Sequence, residues 1–330
     1  MEESLGSGSK LDEKANLKGL KRLDCFESSG LILAETQNAI LYAYVNGNYV
    51  QKDEASISIY DHGFLYGDGV YEAIRAYDGI VFKLREHLDR LYESAKSIKI
   101  DIPISKTEFG GIVVELLKKN GLKNGYVRIV VSRGFGKMGV DPRNCPKPTL
   151  VVMAEPRGRL FGENVKGISA IVSSLRRTPS WSLDPRIKTL NYLNNVLAKI
   201  EATEAGVEEA IMLNEQGYVA ETSTENVFVV KNGTVATPHP SLGVLKGITR
   251  DVIIRIVKEL GYPIEERTIT IHELYNADEV FVTGTAAEAV PIVRITGRVV
   301  GDGKTGKVFM EIMRRFTDLT HSPKEGTVIA

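Results

Sequence analysis

Asn-Gly dipeptides at 46–47 and 232–233 each stand between short runs in which apolar and polar residues alternate. Asn-Gly tolerates the positive φ of a two-residue turn, so each one predicts an antiparallel hairpin. The first would carry Tyr42, Tyr44 and Tyr49 on its strands, and the second would follow the strand ENVFVV. A chain that forms hairpins in both halves cannot be a strict alternation of strand and helix. Its helices must therefore be mixed with antiparallel strands.

The helical segments show their own period. Leu88, Leu91, Ala95 and Ile98 form one stripe in a predicted helix from Glu86 to Ile98. Phe109, Ile112, Val113, Leu116 and Leu117 do the same over Thr107 to Lys119, stopped by Asn120-Gly121. Further helices are expected in NYLNNVLAKIEATEA, from near Ile248, and over Lys307 to Leu319. Strands are expected in SISIYDHGFLYGDG, Tyr126–Ser132, Thr149–Glu155, GISAIVSSL, EEAIMLN, YVAETS and DEVFVTGT. Residues 1–43 read as a polar extension, and PRGRLFGENVK (156–166), rich in Pro and Gly, reads as a linker. The expected organisation is an extension (1–43), a small α+β domain (44–160) and a large α+β domain (161–330), with a cleft between the domains.

Lys plus Arg and Asp plus Glu number 42 each in 330 residues, which gives no electrostatic reason for a nucleic acid or an anionic membrane as partner. No apolar run approaches the ~18 to 20 residues that span a bilayer. Cys25 and Cys145 are far apart and form no CxxC pair, as expected of a protein of the reducing cytoplasm. None of His62, His87, His239, His272 and His321 stands at metal-ligand spacing from another, so no metal site is expected.

Gly134–Gly139 (GFGKMG) spells a formal G-x-G-x-x-G after a strand, but Pro142, Pro146 and Pro148 prevent the helix that a dinucleotide site needs. It is expected to be a glycine loop at a pocket mouth. Lys246-Gly247-Ile248-Thr249-Arg250 opens a helix, whose first amides lack internal partners and point outward. That stretch reads equally as an N-cap or as an anion site. Glu221 in ETSTENVF and Lys188 in DPRIKTLNY read, each alone, as ordinary solvated side chains.

The spacing alters that. Glu221-x-Ser223-x-x-Asn226-Val227-Phe228 is followed, after six residues, by Val235-x-Thr237 and, after seven more, by Leu245-x-Gly247-Ile248-x-Arg250. With YGDGVYEAIRAYDG (66–79), FKLREHLDRLYESAK (82–96), YVRIVVSRG (126–134), IKTLNYLNNVLAKIEA and ADEVFVTGTAAE (277–288), this resembles the class IV (fold type IV) aminotransferases that use pyridoxal 5′-phosphate (PLP). The likeness runs over about residues 44–320 and is greatest to the branched-chain amino-acid aminotransferases. It implies a two-domain fold type IV enzyme, built as a homodimer or an assembly of dimers. The implied substrates are amino acids and 2-oxo acids, exchanged between Leu, Ile or Val and 2-oxoglutarate.

The resemblance also assigns residues. Lys188 matches the Schiff-base lysine, Glu221 the carboxylate facing the PLP ring nitrogen, and Tyr192 the tyrosine on the phenolic oxygen, placed by spacing one helical turn after Lys188. Arg90, Gly247, Ile248, Thr249 and Thr285 match phosphate contacts. Tyr126 with the Thr285-Ala286 turn would hold the substrate α-carboxylate, and Arg128 would receive the side-chain carboxylate of glutamate. Tyr66, Tyr71, Arg75 and Val140 complete the implied substrate pocket, partly from the partner subunit. Within the family the main rival is a D-amino-acid aminotransferase, whose Arg-x-His trap is missing from RGFGKMGVDPRN. An aminodeoxychorismate lyase and a non-catalytic PLP-binding protein are weaker rivals.

Overall fold

The computed structural model describes residues 40–162 and 165–329. The extension expected over 1–43 lies outside them as far as residue 39, as does Cys25. The first hairpin joins β1 (Tyr42–Val45) to β2 (Asn48–Gln51), with Tyr44 opposite Tyr49. Asn46 and Gly47 both take positive φ, as the turn requires. Next come a short helix α1 (His62–Tyr66), β3 (Gly69–Tyr77), β4 (Ile80–Phe82), α2 (Leu84–Ser97) and α3 (Lys106–Lys119). Two long strands follow, β5 (Gly125–Ser132) and β6 (Thr149–Glu155).

SISIYDH does not form the strand its alternation predicts. Ile57 and Ile59 face solvent at 48% and 67% exposure, so the alternation has no sheet to bury against. The backbone turns instead into α1, whose first amides are capped by Asp61 through Gly63 N–H at 2.8 Å.

Helices α2 and α3 cover one face of this sheet. Leu88, Leu91, Ala95, Phe109, Val113, Leu116 and Leu117 pack on Ile74, Val127, Ile129 and Val152 in one core. Each of the Leu, Ile, Val and Phe side chains contributes roughly 1.5–3 kcal/mol by leaving water. Asn120 does more than stop α3: its carboxamide bonds Tyr42 N (2.8 Å) and Tyr42 O (3.0 Å), fixing the helix end to β1.

The second half contains β7 (Ile168–Arg176), α4 (Leu193–Glu204), β8 (Glu209–Leu213), β9 (Val219–Thr222), β10 (Asn226–Lys231) and β11 (Thr234–Thr237). After α5 (Ile248–Glu259) come β12 (Ile264–Glu266), α6 (Ile271–Tyr275), β13 (Glu279–Gly284), β14 (Glu288–Ile295), β15 (Arg298–Val299), α7 (Lys307–Thr320) and a last strand, β16 (Gly326–Val328). The strands from β7 to β15 form a 9-stranded sheet in the order β12-β11-β10-β13-β14-β7-β8-β9, with β15 on β14. Because β9 also pairs with β10, the path from β10 through β13, β14, β7 and β8 returns to its start as a closed barrel. Helices α5 and α7 lie outside it, packing Ile253, Ile256, Ile312 and Phe316 with Phe228 and Phe281. Strand β16 leaves this half and pairs with β4, completing the 7-stranded first sheet.

Two features position the site. The segment carrying Lys188 lies along β3: Tyr71 N donates to Lys188 O at 3.0 Å and Leu190 N to Gly69 O at 2.9 Å. Gly69 permits this approach, since a Cβ there would stand 2.7 Å from both Leu190 Cδ1 and Val131 O. Strands β9 and β10 meet at Glu221 and Asn226, which brings both ends of the ETSTEN turn to one place.

Candidate active site

Lys188 is half-buried, and its Nζ stands over the rings of Tyr71 (4.5 Å) and Tyr192 (5.9 Å). Those rings meet edge to face at 5.3 Å. The helix expected to link Lys188 to Tyr192 is not there. Residues 188–192 are irregular and α4 begins at Leu193, with Tyr192 as its N-cap residue. Pairing of this segment with β3 consumes the backbone groups that a helix would need. Tyr192 reaches the lysine by the path of the loop. Burial, with Tyr192 second, pushes the Tyr71 phenol far above its usual value, so it stays neutral.

Glu221 is buried in β9. Its Oε1 accepts from Arg177 Nε at 2.6 Å, and its Oε2 from Leu245 N at 3.1 Å. The carboxylate is thereby oriented toward a cavity that Lys188, Tyr192, Asn195, Ser223 and Thr224 also border.

At the start of α5, Gly247 is the N-cap residue and no side chain caps the helix. The outward amides there remain available for an anion. Gly247 is required for packing as well: a Cβ would stand 2.0 Å from Asn226 Oδ1. Arg90 comes to the same place from α2, its Nη1 donating to Lys246 O at 2.8 Å. Beneath it Glu72 of β3 accepts from Arg90 Nε (2.6 Å) and Nη2 (2.9 Å) and is bonded to His87 Nδ1 (2.8 Å). Burial alone would raise the Glu72 carboxyl, but Arg90 and His87 outweigh it and hold the group well below the usual carboxylate range.

The residues expected to bind substrate fall into separate groups. Tyr126 and Arg128 share one face of β5, with Arg128 Nη2 donating to Tyr126 Oη at 3.3 Å and the guanidinium 4.3 Å from the Tyr71 ring centre. Tyr71 thus joins Arg128 to Lys188. Thr285 and Ala286 form the turn between β13 and β14, and Ala286 O accepts Leu160 N at 2.9 Å. Arg75 is buried and ion-paired to Glu288 at 3.2 Å, which engages its guanidinium within the protein. Tyr66 accepts Gly139 N–H at 2.7 Å, and Val140 is 80% exposed. These two stand together on an open surface, with Phe64, Phe135 and Met138 also exposed.

Arg177, Glu72, His87 and Asn195 were not legible as site residues. Arg177 directly follows β7 as the second of a pair of arginines, and only folding sets it against Glu221, 44 positions away. Among the described residues no group of His, Cys, Asp or Glu could hold a metal ion. Nor is any of the described helices long and apolar enough to cross a membrane.

The arrangement sets a half-buried amine at Lys188, a buried carboxylate at Glu221, and Arg90 beside the outward amides of the α5 start, a set that could hold PLP. Comparison with known proteins points the same way. The sequence model of the amino-transferase class IV family matches residues 69–295. A Methanocaldococcus jannaschii protein, provisionally named a branched-chain-amino-acid aminotransferase, is 51% identical over 276 residues, covering 84% of this chain and 95% of its own. The Escherichia coli (strain K12) branched-chain-amino-acid aminotransferase is 36% identical over 285 residues, covering 84% and 92%. A T.th. branched-chain amino acid aminotransferase solved with pyridoxamine 5′-phosphate superposes with a TM-score of 0.85 at 36% identity, over 89% of this chain and 100% of that one. Its complex with N-(5′-phosphopyridoxyl)-L-glutamate gives 0.84 at the same identity and coverage.

Proposed function

The chain belongs to the class IV aminotransferases, and from that premise we propose that it exchanges amino groups between branched-chain L-amino acids (Leu, Ile, Val) and 2-oxoglutarate, with PLP held covalently by Lys188. The observation that carries this reading is the single cavity bordered by Lys188, Tyr192 and Glu221. Relatives are named branched-chain-amino-acid aminotransferases, and one solved neighbour is complexed with N-(5′-phosphopyridoxyl)-L-glutamate.

When bound, PLP supplies an aldehyde carbon that condenses with amines and a protonated ring that accepts the electrons released at the substrate Cα. The protein supplies the rest. Glu221, oriented by Arg177 and Leu245 N–H, holds the proton on the ring nitrogen. Tyr192 faces the phenolic oxygen. Arg90, Thr285 and the amides of Gly247, Ile248 and Thr249 bind the phosphate. Lys188 Nζ would hold the cofactor covalently and, once released by the substrate amine, would serve as the base that moves the substrate Cα proton. Tyr126 and the Thr285-Ala286 turn bind the α-carboxylate, Tyr71 walls the side-chain pocket, and Arg128 waits for a second carboxylate.

In this reading units 44–160 and 161–330 flank the site. A second copy covers the exposed surface around Tyr66 and Val140 and completes the pocket. A cytoplasmic setting accords with the free thiol of Cys145.

Half-reactions of the purified holoprotein with L-Leu, L-Ile, L-Val, L-Glu, D-Ala and D-Glu test the substrate. Bleaching of the cofactor absorbance by the L-isomers is expected; preference for the D-isomers would replace the reading with a D-amino-acid aminotransferase. Lys188→Ala is expected to slow the half-reaction by about 10³-fold or more. Ordinary turnover by that variant would remove Lys188 from its role.

A further inference from the structure

Two acidic side chains with no part in the chemistry above are buried beside it. Glu209, at the start of β8, is 0% exposed, and Glu225, at the end of the turn between β9 and β10, is 3% exposed. Glu209 Oε1 accepts from Ala210 N at 2.8 Å and Ser223 N at 3.3 Å, whereas its Oε2 has no donor and is shut off from solvent. Glu225 is held from both sides, by Thr222 Oγ1 on Oε2 (2.8 Å) and Thr224 Oγ1 on Oε1 (2.5 Å). Both carboxyl groups thus sit at the same turn, Glu209 on Ser223 N and Glu225 on Thr222 and Thr224, and the Glu209 carboxyl acts on Glu225 to raise it. Two oxygens of ionised carboxylates cannot share a hydrogen bond, so a bond between these acids would require one proton between them. That proton would supply the donor that Glu209 Oε2 lacks.

Few charges could take its place. On α4, Lys199 Nζ is 3.7 Å from Glu209 Oε2 and 44% exposed. Glu208 turns away to Ser169 N at 2.8 Å. On β9, Glu221 is engaged by Arg177. From β13, Gly284 approaches Glu225 and carries no charge; a Cβ there would stand 3.2 Å from Glu225 Cγ. Ionising both acids would therefore leave two anions buried together, and burial followed by repulsion from Glu209 pushes the Glu225 carboxyl well above its usual value.

The pair stands behind the turn that carries the cofactor contacts. Glu221 precedes this turn and Asn226 follows it. Asn226 Nδ2 donates to Leu245 O at 2.9 Å, next to the α5 start, and Ser223 O accepts from Asn195 Nδ2 at 2.7 Å. Ser223 and Thr224 border the cavity with Lys188. We propose that Glu209 and Glu225 are positioning residues: a carboxylic acid–carboxylate pair sharing one proton, which locks the Thr222–Glu225 turn so that Glu221 and the α5 start meet PLP in register. This rests on the PLP reading of Glu221. The sign follows from the folded state holding one proton more than the unfolded chain between the ordinary Glu value and the midpoint of the pair. The lock is complete below the ordinary value and is lost as pH rises through that midpoint.

The test is PLP affinity of the apoprotein, measured by fluorescence titration from neutral to alkaline pH, for wild type, Glu225→Gln and Glu209→Gln. In either variant an amide replaces the shared proton and cannot ionise. Both are expected to bind PLP within about threefold of wild type at neutral pH and to keep that affinity where wild type loses about tenfold, the loss expected of one buried unpaired polar group. The same alkaline loss in all three proteins overturns the proposal. Infrared spectra of the wild-type apoprotein give a reading that needs no variant. The carbonyl stretch of a protonated carboxyl group is expected at neutral pH, and its absence overturns the proposal even if both variants fail to fold. Failure of wild type to bind PLP at any pH would instead sink the PLP reading itself, with the infrared band unaffected.

Discussion

Under the proposed reaction the site accepts both an aliphatic chain and a carboxylate, and Arg128 is the residue placed to distinguish them. It lies against the Tyr71 ring and within reach of Tyr126 Oη, so its charge can be screened by aromatic faces when the substrate is apolar. A glutamate side chain would draw the guanidinium into a charge-assisted bond that leucine cannot form. Arg128→Ala is therefore expected to lower kcat/KM for L-Glu by about 100-fold, about 3 kcal/mol, and that for L-Leu by less than about tenfold. Equal losses on the two substrates would remove Arg128 from specificity. At this scale the sequence was read well where spacing was local: Tyr126 and Arg128 alternate on one strand, and they do share a face. It was silent where a partner lies far along the chain. Glu72 is unreadable until β3 sets it under Arg90, and Arg177 until β7 ends beside Glu221.

Among the elements, the α5 start was the most legible, because unpartnered amides follow from any helix N-terminus. Left open in sequence was whether Gly247 serves as an ordinary cap or as an anion seat, and packing adds a constraint that spacing does not contain. The Gly247 backbone leaves 2.0 Å between an added Cβ and Asn226 Oδ1 and 3.1 Å to Arg250 Cβ. Asn226 cannot simply turn aside, since its amide nitrogen holds Leu245 O at 2.9 Å. Gly247→Ala should therefore destabilise the apoprotein by about 1–3 kcal/mol through overpacking. It should also weaken PLP binding about tenfold as the amides shift from the phosphate. Thermal unfolding and PLP titration measure the two effects, and unchanged PLP affinity would sever α5 from the cofactor. The misread element, SISIYDH, fails for the complementary reason. Alternation reports a half-buried surface, not the sheet that would bury it, and Ile57 and Ile59 stay open within the chain.

For the whole molecule, the hairpins could be read because both strands lie within a few residues of their turn, whereas the closure of the second sheet could not. β7 runs parallel between β14 and β8, and β9 joins β8 to β10, pairings set by three-dimensional packing of distant segments. Besides the open surface around Tyr66 and Val140, the closed barrel leaves a second apolar face exposed. Helix α4 turns Asn195, Ala198 and Ala202 toward β7 and β8, and on its other side exposes Leu193, Val196, Leu197 and Ile200 at i, i+3, i+4 and i+7, from 43% to 68% open. Four apolar side chains on one exposed stripe are costly to leave in water, at roughly 25 cal/mol per Å², and such patches mark association surfaces. If two copies join through α4, Leu197→Asp with Ile200→Asp places two charges in the joint and should give a folded monomer at micromolar concentration. Sedimentation velocity compares its mass with wild type, and circular dichroism checks that the fold survives. A variant that keeps the wild-type mass would exclude the α4 face and leave association to the open surface at Phe64, Phe135, Met138 and Val140 alone.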